Sequence, residues 1–141
     1  MARLQANPNV EANLAFDVIK PGEYLMRVKD VKTTDDNGND LVSAKGNKYW
    51  KVQLEFVETG MLERNDGKGY AKNPGAIFDN SLLVEPSDKQ GKLRAFVEAC
   101  GLTWGDIESD DLRGCEVLAR LGTSEYKGEM KNEVKRYIPR S

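Results

Sequence analysis

Cations able to track phosphates and tyrosines able to stack on bases recur together along this 141-residue sequence. Arg27 and Lys29 form one group, Lys45, Lys48, Tyr49 and Lys51 a second, and Tyr126, Lys127, Lys131, Lys135 and Tyr137 a third. Single-stranded nucleic acid is held by that combination, because phosphates need positive charge and every exposed base offers a π-face. A single lysine is more often simply solvated, so the argument rests on the grouping. The formal net charge of −2 speaks against gripping duplex DNA by bulk charge. Charge is unevenly spread, however. The stretch from Asp106 to Glu116 is acidic, whereas the C-terminal stretch holds Arg120, Lys127, Lys131, Lys135, Arg136 and Arg140.

Catalytic chemistry finds little to use. There is no histidine, which removes Ser/His/Asp and Cys/His sites and any imidazole base. Asp66-Gly-Lys-Gly69 lacks the strand-to-helix setting of a phosphate loop and reads as a turn. If Gly38 took the sixth position of a calcium loop, Thr33 and Ala44 would stand where the key ligands belong, so Asp35 to Asp40 reads as a solvated turn. Glu108 to Asp111 could hold a nuclease's divalent ion only weakly. No enzyme activity, metal or cofactor is expected. The two cysteines, Cys100 and Cys115, lack Cys-x-x-Cys spacing and are expected to be buried free thiols.

The elements that must position these side chains are legible in part. At 39% hydrophobic and 31% charged residues, the chain can build one core and is not disordered. No signal-peptide run or membrane-length apolar stretch occurs, which implies a soluble, cytoplasmic protein without membrane contact. Residues 1–20 read as an N-terminal arm, partly ordered around Leu14, Phe16, Val18 and Ile19, and 21–141 as the domain. A first strand starts at Gly22, with Tyr24, Met26 and Val28 on one face and Leu25, Arg27 and Lys29 on the other. A polar loop, Thr33 to Asn47, includes a candidate small hairpin over Asn37-Gly38. Strand 2, Lys48 to Glu58, buries Trp50, Val52, Leu54 and Phe56. Strand 3 covers Ala76 to Val84, with Phe78 and Leu82 expected inward.

Pro86 stops strand 3, and Ser87-x-x-Gln90 reads as a capping box for a helix whose stripe is Leu93, Phe96, Val97 and Cys100, ended by Gly101. An irregular connection anchored by Trp104, Ile107 and Leu112 follows. Strand 4 carries Val117, Ala119 and Leu121 inward. A turn, Thr123 to Lys131, leads to strand 5, Asn132 to Ile138, with Lys135 and Tyr137 on one face. Five strands with a helix between the third and fourth match the OB-fold, a mainly β, five-stranded Greek-key barrel. Such folds bind across strands 2 and 3 and between the loops joining strands 1 to 2 and 4 to 5, here Thr33 to Asn47 and Thr123 to Lys131.

Lys20-Pro-Gly-Glu-Tyr, Gly46-Asn-Lys-Tyr-Trp, Leu93-Arg-Ala-Phe-Val-Glu-Ala-Cys-Gly and Tyr126-Lys-Gly-Glu-Met-Lys-Asn-Glu-Val-Lys-Arg-Tyr-Ile-Pro together resemble small phage-encoded single-stranded DNA-binding proteins. The resemblance runs from about residue 18 onward. It implies single-stranded DNA as partner, in phage replication or recombination, inside the host cytoplasm. Bacterial proteins of this activity end in an acidic recruiting tail, whereas this sequence ends Lys135-Arg-Tyr-Ile-Pro-Arg-Ser141, which puts tail-mediated recruitment in doubt. Two alternatives stand: an interaction module that docks a recombinase or replication protein, and, more weakly, a metal-dependent nuclease. A homo-oligomer is compatible with either.

Overall fold

A long central strand organises the sheet. In the computed structural model, which describes residues 2–8 and 16–139 and only the backbone of Tyr126, β1 runs Gly22–Lys32. Its first half pairs with β4 (Glu116–Tyr126) and its second half with β2 (Tyr49–Phe56), both antiparallel. β3 (Ile77–Leu83) and β5 (Glu129–Ile138) flank these, giving the order β3-β2-β1-β4-β5 with every neighbour antiparallel. The protein is thus mainly β, a single five-stranded sheet with one α-helix among the described residues, α1 (Gly91–Ala99), between β3 and β4.

Period-two alternation supplies the core as expected. Met26, Val28, Val52, Leu54, Val117, Ala119 and Leu121 are buried on the inner face, and α1 lays Leu93, Phe96 and Val97 against them. Trp50 is half-buried against this core rather than inside it. Cys100 is buried and Cys115 half-buried, both as free thiols. α1 ends as its glycine suggests. Gly101 has φ +86°, its N–H donates to Glu98 O at 3.0 Å, and the N–H of Leu102 donates to Val97 O at 3.2 Å. That pair of bonds satisfies carbonyls the helix end leaves open. The expected capping box is corrected. Ser87 opens a short 3-10 turn without a side-chain cap, and Gln90 Nε2 instead donates to Val84 O at 2.6 Å.

Three extra residues change which side chains face inward, because side chains alternate and one insertion flips every later residue. In β1 the register slips at Lys29, which brings Val31 inside. In β3 the slip falls between Asp79 and Leu82, so Ile77, Asp79 and Leu82 face in and Phe78 faces out, 54% exposed. The expectation of Phe78 inside is therefore wrong. In β5 the slip at Lys135 puts Val134 and Tyr137 inside, so Lys135 and Tyr137 do not share a face.

The turn assigned to Thr123–Lys131 is also corrected. β4 and β5 continue pairing to Tyr126 opposite Glu129, leaving a two-residue turn of Lys127 (φ +51°) and Gly128 (φ +80°). Positive φ at both central residues is what a tight hairpin turn matching strand twist requires. Polar composition there marks a strand ribbon running past β1, not a loop. The hairpin expected over Asn37-Gly38 does form: Thr34 bridges Asp40, and Asp35 Oδ1 accepts the N–H groups of Asn37 and Asn39 at 2.9 and 3.0 Å.

The end of the N-terminal arm is built into the domain. Ile19 is 1% exposed, and its N–H and C=O are both matched by the Asn132 amide at 2.8 Å. Asp17 accepts the N–H groups of Lys72 and Asn73, and backbone bridges tie Asp17 to Pro74 and Ile19 to Arg64. Leu14 lies outside the described residues. No helix among the described residues is long and apolar enough to cross a membrane.

The two sheet edges meet through a buried polar cluster. Asp79 of β3 is 5% exposed and accepts the Tyr137 hydroxyl of β5 at 2.6 Å. Lys92 of α1 reaches Asp79 at 3.3 Å, Ser81 Oγ at 2.5 Å and Val134 O at 2.8 Å. Burial first, then the charge and hydrogen bond of Asp79, push the Tyr137 hydroxyl well above the usual tyrosine value of 10.0. The unfolded chain gives up that proton near pH 10 while the folded one keeps it. The stabilisation is therefore fully present below about pH 10 and is lost as pH rises beyond it. Urea unfolding at about pH 8 and about pH 11 should show a steeper alkaline loss for the parent protein than for Tyr137→Phe. Identical slopes would remove Tyr137 from the account.

Candidate nucleic-acid interface

Because β3 and β5 are the two edges of the sheet, the space between them is where the barrel-like wall is open. It forms a cleft of about 1040 Å³. Phe16, Phe78 and Lys92 line one side, and Met130, Lys131 and Lys135 of the ribbon line the other. Phe16 is 64% and Met130 48% exposed, so with Phe78 three apolar side chains stand open around one polar-floored cleft. Gly75 shapes the Phe16 side, since a Cβ there would meet the ring at 2.8 Å. Its polar lining includes Asp79, Ser81 and Lys92, whose polar atoms pair with one another and, beneath them, with the buried Tyr137 hydroxyl.

Lys51 and Phe78 face outward together. The Lys51 ammonium sits 5.1 Å from the centre of the Phe78 ring, within cation–π range. An ammonium held on a ring by its quadrupole can swing to the phosphate of a nucleotide whose base takes that face. Sequence reading missed both Phe78 and Phe16. Only the Ile77-Phe78 pair carried a signal, because of two adjacent apolar residues in a strand only one can face the core.

The other expected site residues divide. Lys45 is exposed in the turn before Gly46, and Tyr49 is half-buried on β2 opposite Leu83. Lys127 and Lys131 are exposed on the ribbon turn and on β5. Lys135 lies over Gly122 and pairs with Glu133. Tyr126 occupies the last position of β4, and its side chain lies outside the described residues.

With Lys135, four of the expected cations are already matched by carboxylates. Arg27 lies 3.5 Å from Glu55 and 3.4 Å from Glu116, and Lys29 lies 4.0 Å from Glu55. Lys48 lies 3.2 Å from Asp40 and 3.7 Å from Glu85; the Asp40 hydrogen bond, then the Glu85 charge, hold its pKa above the ordinary lysine value. These pairs are exposed and individually weak, yet each must be broken before the cation can serve a phosphate. Tyr137 is a correction: at 2% exposure its ring packs 4.9 Å from Phe96 and is closed to any base.

No known protein-family model matches the chain. Phe78 with Lys51 on the sheet's outer face, and Phe16, Lys131 and Lys135 around the cleft beside it, are the residues the fold brings together.

Proposed function

We propose that the chain is an OB-fold protein that binds single-stranded DNA without strong sequence preference, without enzymatic activity, in phage replication or recombination. The observation that carries the reading is the outward-facing Phe78, with Lys51 on its ring, at the lip of a cleft whose opposite wall bears lysines. An exposed aromatic with a cation in reach supplies stacking and phosphate contact in one place. The OB-fold assignment draws support from a first strand shared between β2 and β4 and from a helix placed between β3 and β4.

Because Arg27, Lys29 and Lys48 are matched by carboxylates, the electrostatic share of binding is smaller than a count of cations suggests. With roughly two to three phosphate contacts, log K against log salt should fall with a slope of about −1.4 to −2.1. Titrating a fluorescent oligothymidylate at several salt concentrations measures the slope, and an equal-length duplex competitor measures selectivity. Duplex competing as well as single strand would sink the proposal. The same neutralised cations favour a second reading, an interaction module for a recombinase or replication protein. Failure to bind oligothymidylate at low salt selects that reading.

A further inference from the structure

The outer face of β1, β4 and β5 carries three rows of side chains set by strand register. Leu25 stands opposite Leu118, and Leu118 opposite Ile138. Leu25 is 41% and Leu118 37% exposed, and Met61, 72% exposed, lines a small hollow beside Leu25. On one side of this apolar row Glu23 stands opposite Arg120, and Arg120 opposite Arg136; on the other side Arg27 stands opposite Glu116. A solvated antiparallel face is normally polar, so an apolar row crossing three strands calls for a cover.

The charges say what cover fits. Along β1 the outward side chains run Glu23, Leu25, Arg27, and along β4 they run Glu116, Leu118, Arg120, each strand acidic at one end and basic at the other. A two-fold axis lying along the apolar row turns each strand end for end onto its own copy. Glu23, which lies 4.0 Å from Arg136 in its own chain, then faces the partner's Arg27; Arg120 faces the partner's Glu116, a residue 3.4 Å from Arg27 within each chain; and Leu118 packs on the partner's Leu118. A two-fold axis parallel to the strands along β4 would instead set Arg120 against Arg120 and Glu116 against Glu116, and one between β1 and β4 would set Glu23 against Arg120 and Arg27 against Glu116. Only the axis along the row also stacks Leu25, Leu118 and Ile138 each on its own copy, so that the apolar and the charged rows are complementary together, as an isologous dimer contact requires.

We propose that this face is the homodimer interface, with a second copy of the chain seated on Leu25, Leu118 and Ile138 about that two-fold axis. β1 is the middle strand of the order and the cleft lies between the edge strands, so the dimer leaves both clefts open. The inference does not depend on what the cleft binds.

Sedimentation equilibrium of the full chain from micromolar to millimolar concentration tests it. The parent protein should be dimeric. Leu118→Lys places like charges at the axis, and Arg120→Glu sets acid against the partner's Glu116; each should weaken association by about a hundredfold or more, since every change occurs on both sides. Both positions are exposed, and thermal unfolding should confirm intact folding. Combining Arg120→Glu with Glu116→Arg restores the cross-subunit pair and should recover the dimer. Three outcomes would overturn the proposal: a monomeric parent protein, a dimer indifferent to Leu118→Lys, or a double variant no better than Arg120→Glu alone.

Discussion

Phe78→Ala should lower affinity for oligothymidylate by about five- to over a hundredfold, the range that follows from losing one stacking platform of about 1 to 3 kcal/mol. Its melting temperature should hold, because the ring is 54% exposed and its removal opens no cavity. Lys51→Met tests the partner group separately. It keeps the ring and the apolar stem but removes the cation, so it should flatten the salt slope by about 0.7 while costing less affinity. Oligonucleotide titration and thermal unfolding on the same samples check both. If Phe78→Ala binds like the parent protein, the β3 platform is not the site, and Phe16, which also lines the cleft, becomes the aromatic to test.

Asp79→Ala should have the largest effect on stability, a loss of about 3 kcal/mol. Asp79 is the one buried charged residue among those described, and it accepts from Tyr137, Lys92 and the N–H and hydroxyl of Ser81. Removing it leaves a buried hydroxyl without its acceptor and an ammonium without its counter-charge. Because the Lys92 side chain is 25% exposed, water relieves part of the cost, which places the estimate at the lower end of the range for broken buried pairs. Asp79→Asn keeps an acceptor oxygen and should lose less. Urea denaturation of the two variants decides the matter, and equal losses for both would mean that the carboxylate charge, which both remove, and not the acceptor oxygen that asparagine keeps, holds the strand edges together. Since Asp79 and Lys92 join β3 to β5, loosening them should also widen the cleft and weaken binding at temperatures where the variants remain folded.

Much of the architecture was legible before any coordinates. Strand 2 alternates so cleanly that its buried set, Val52, Leu54 and Phe56, follows from period alone. The helical stripe from Leu93 to Cys100 and its closing Gly101 are equally local signals. Side-chain spacing and backbone conformational preference act over a few residues, which is why the sequence by itself determined the strands, the helix and most of the core.

What only the tertiary structure decided is where the alternation breaks and which charges are left to act. Whether Phe78 points in or out depends on one unpaired residue in β3, and that bulge is set by pairing with β2, about thirty residues back in the chain. The same device in β5 sent Tyr137 into the core, where Asp79 of the opposite edge strand completes its hydrogen bond. Arg27, Lys29 and Lys48 read as free cations until folding set Glu55, Glu116, Asp40 and Glu85 beside them. Facing and charge pairing are properties of contacts between distant segments, and a period-two pattern holds no record of the residue at which it will be interrupted.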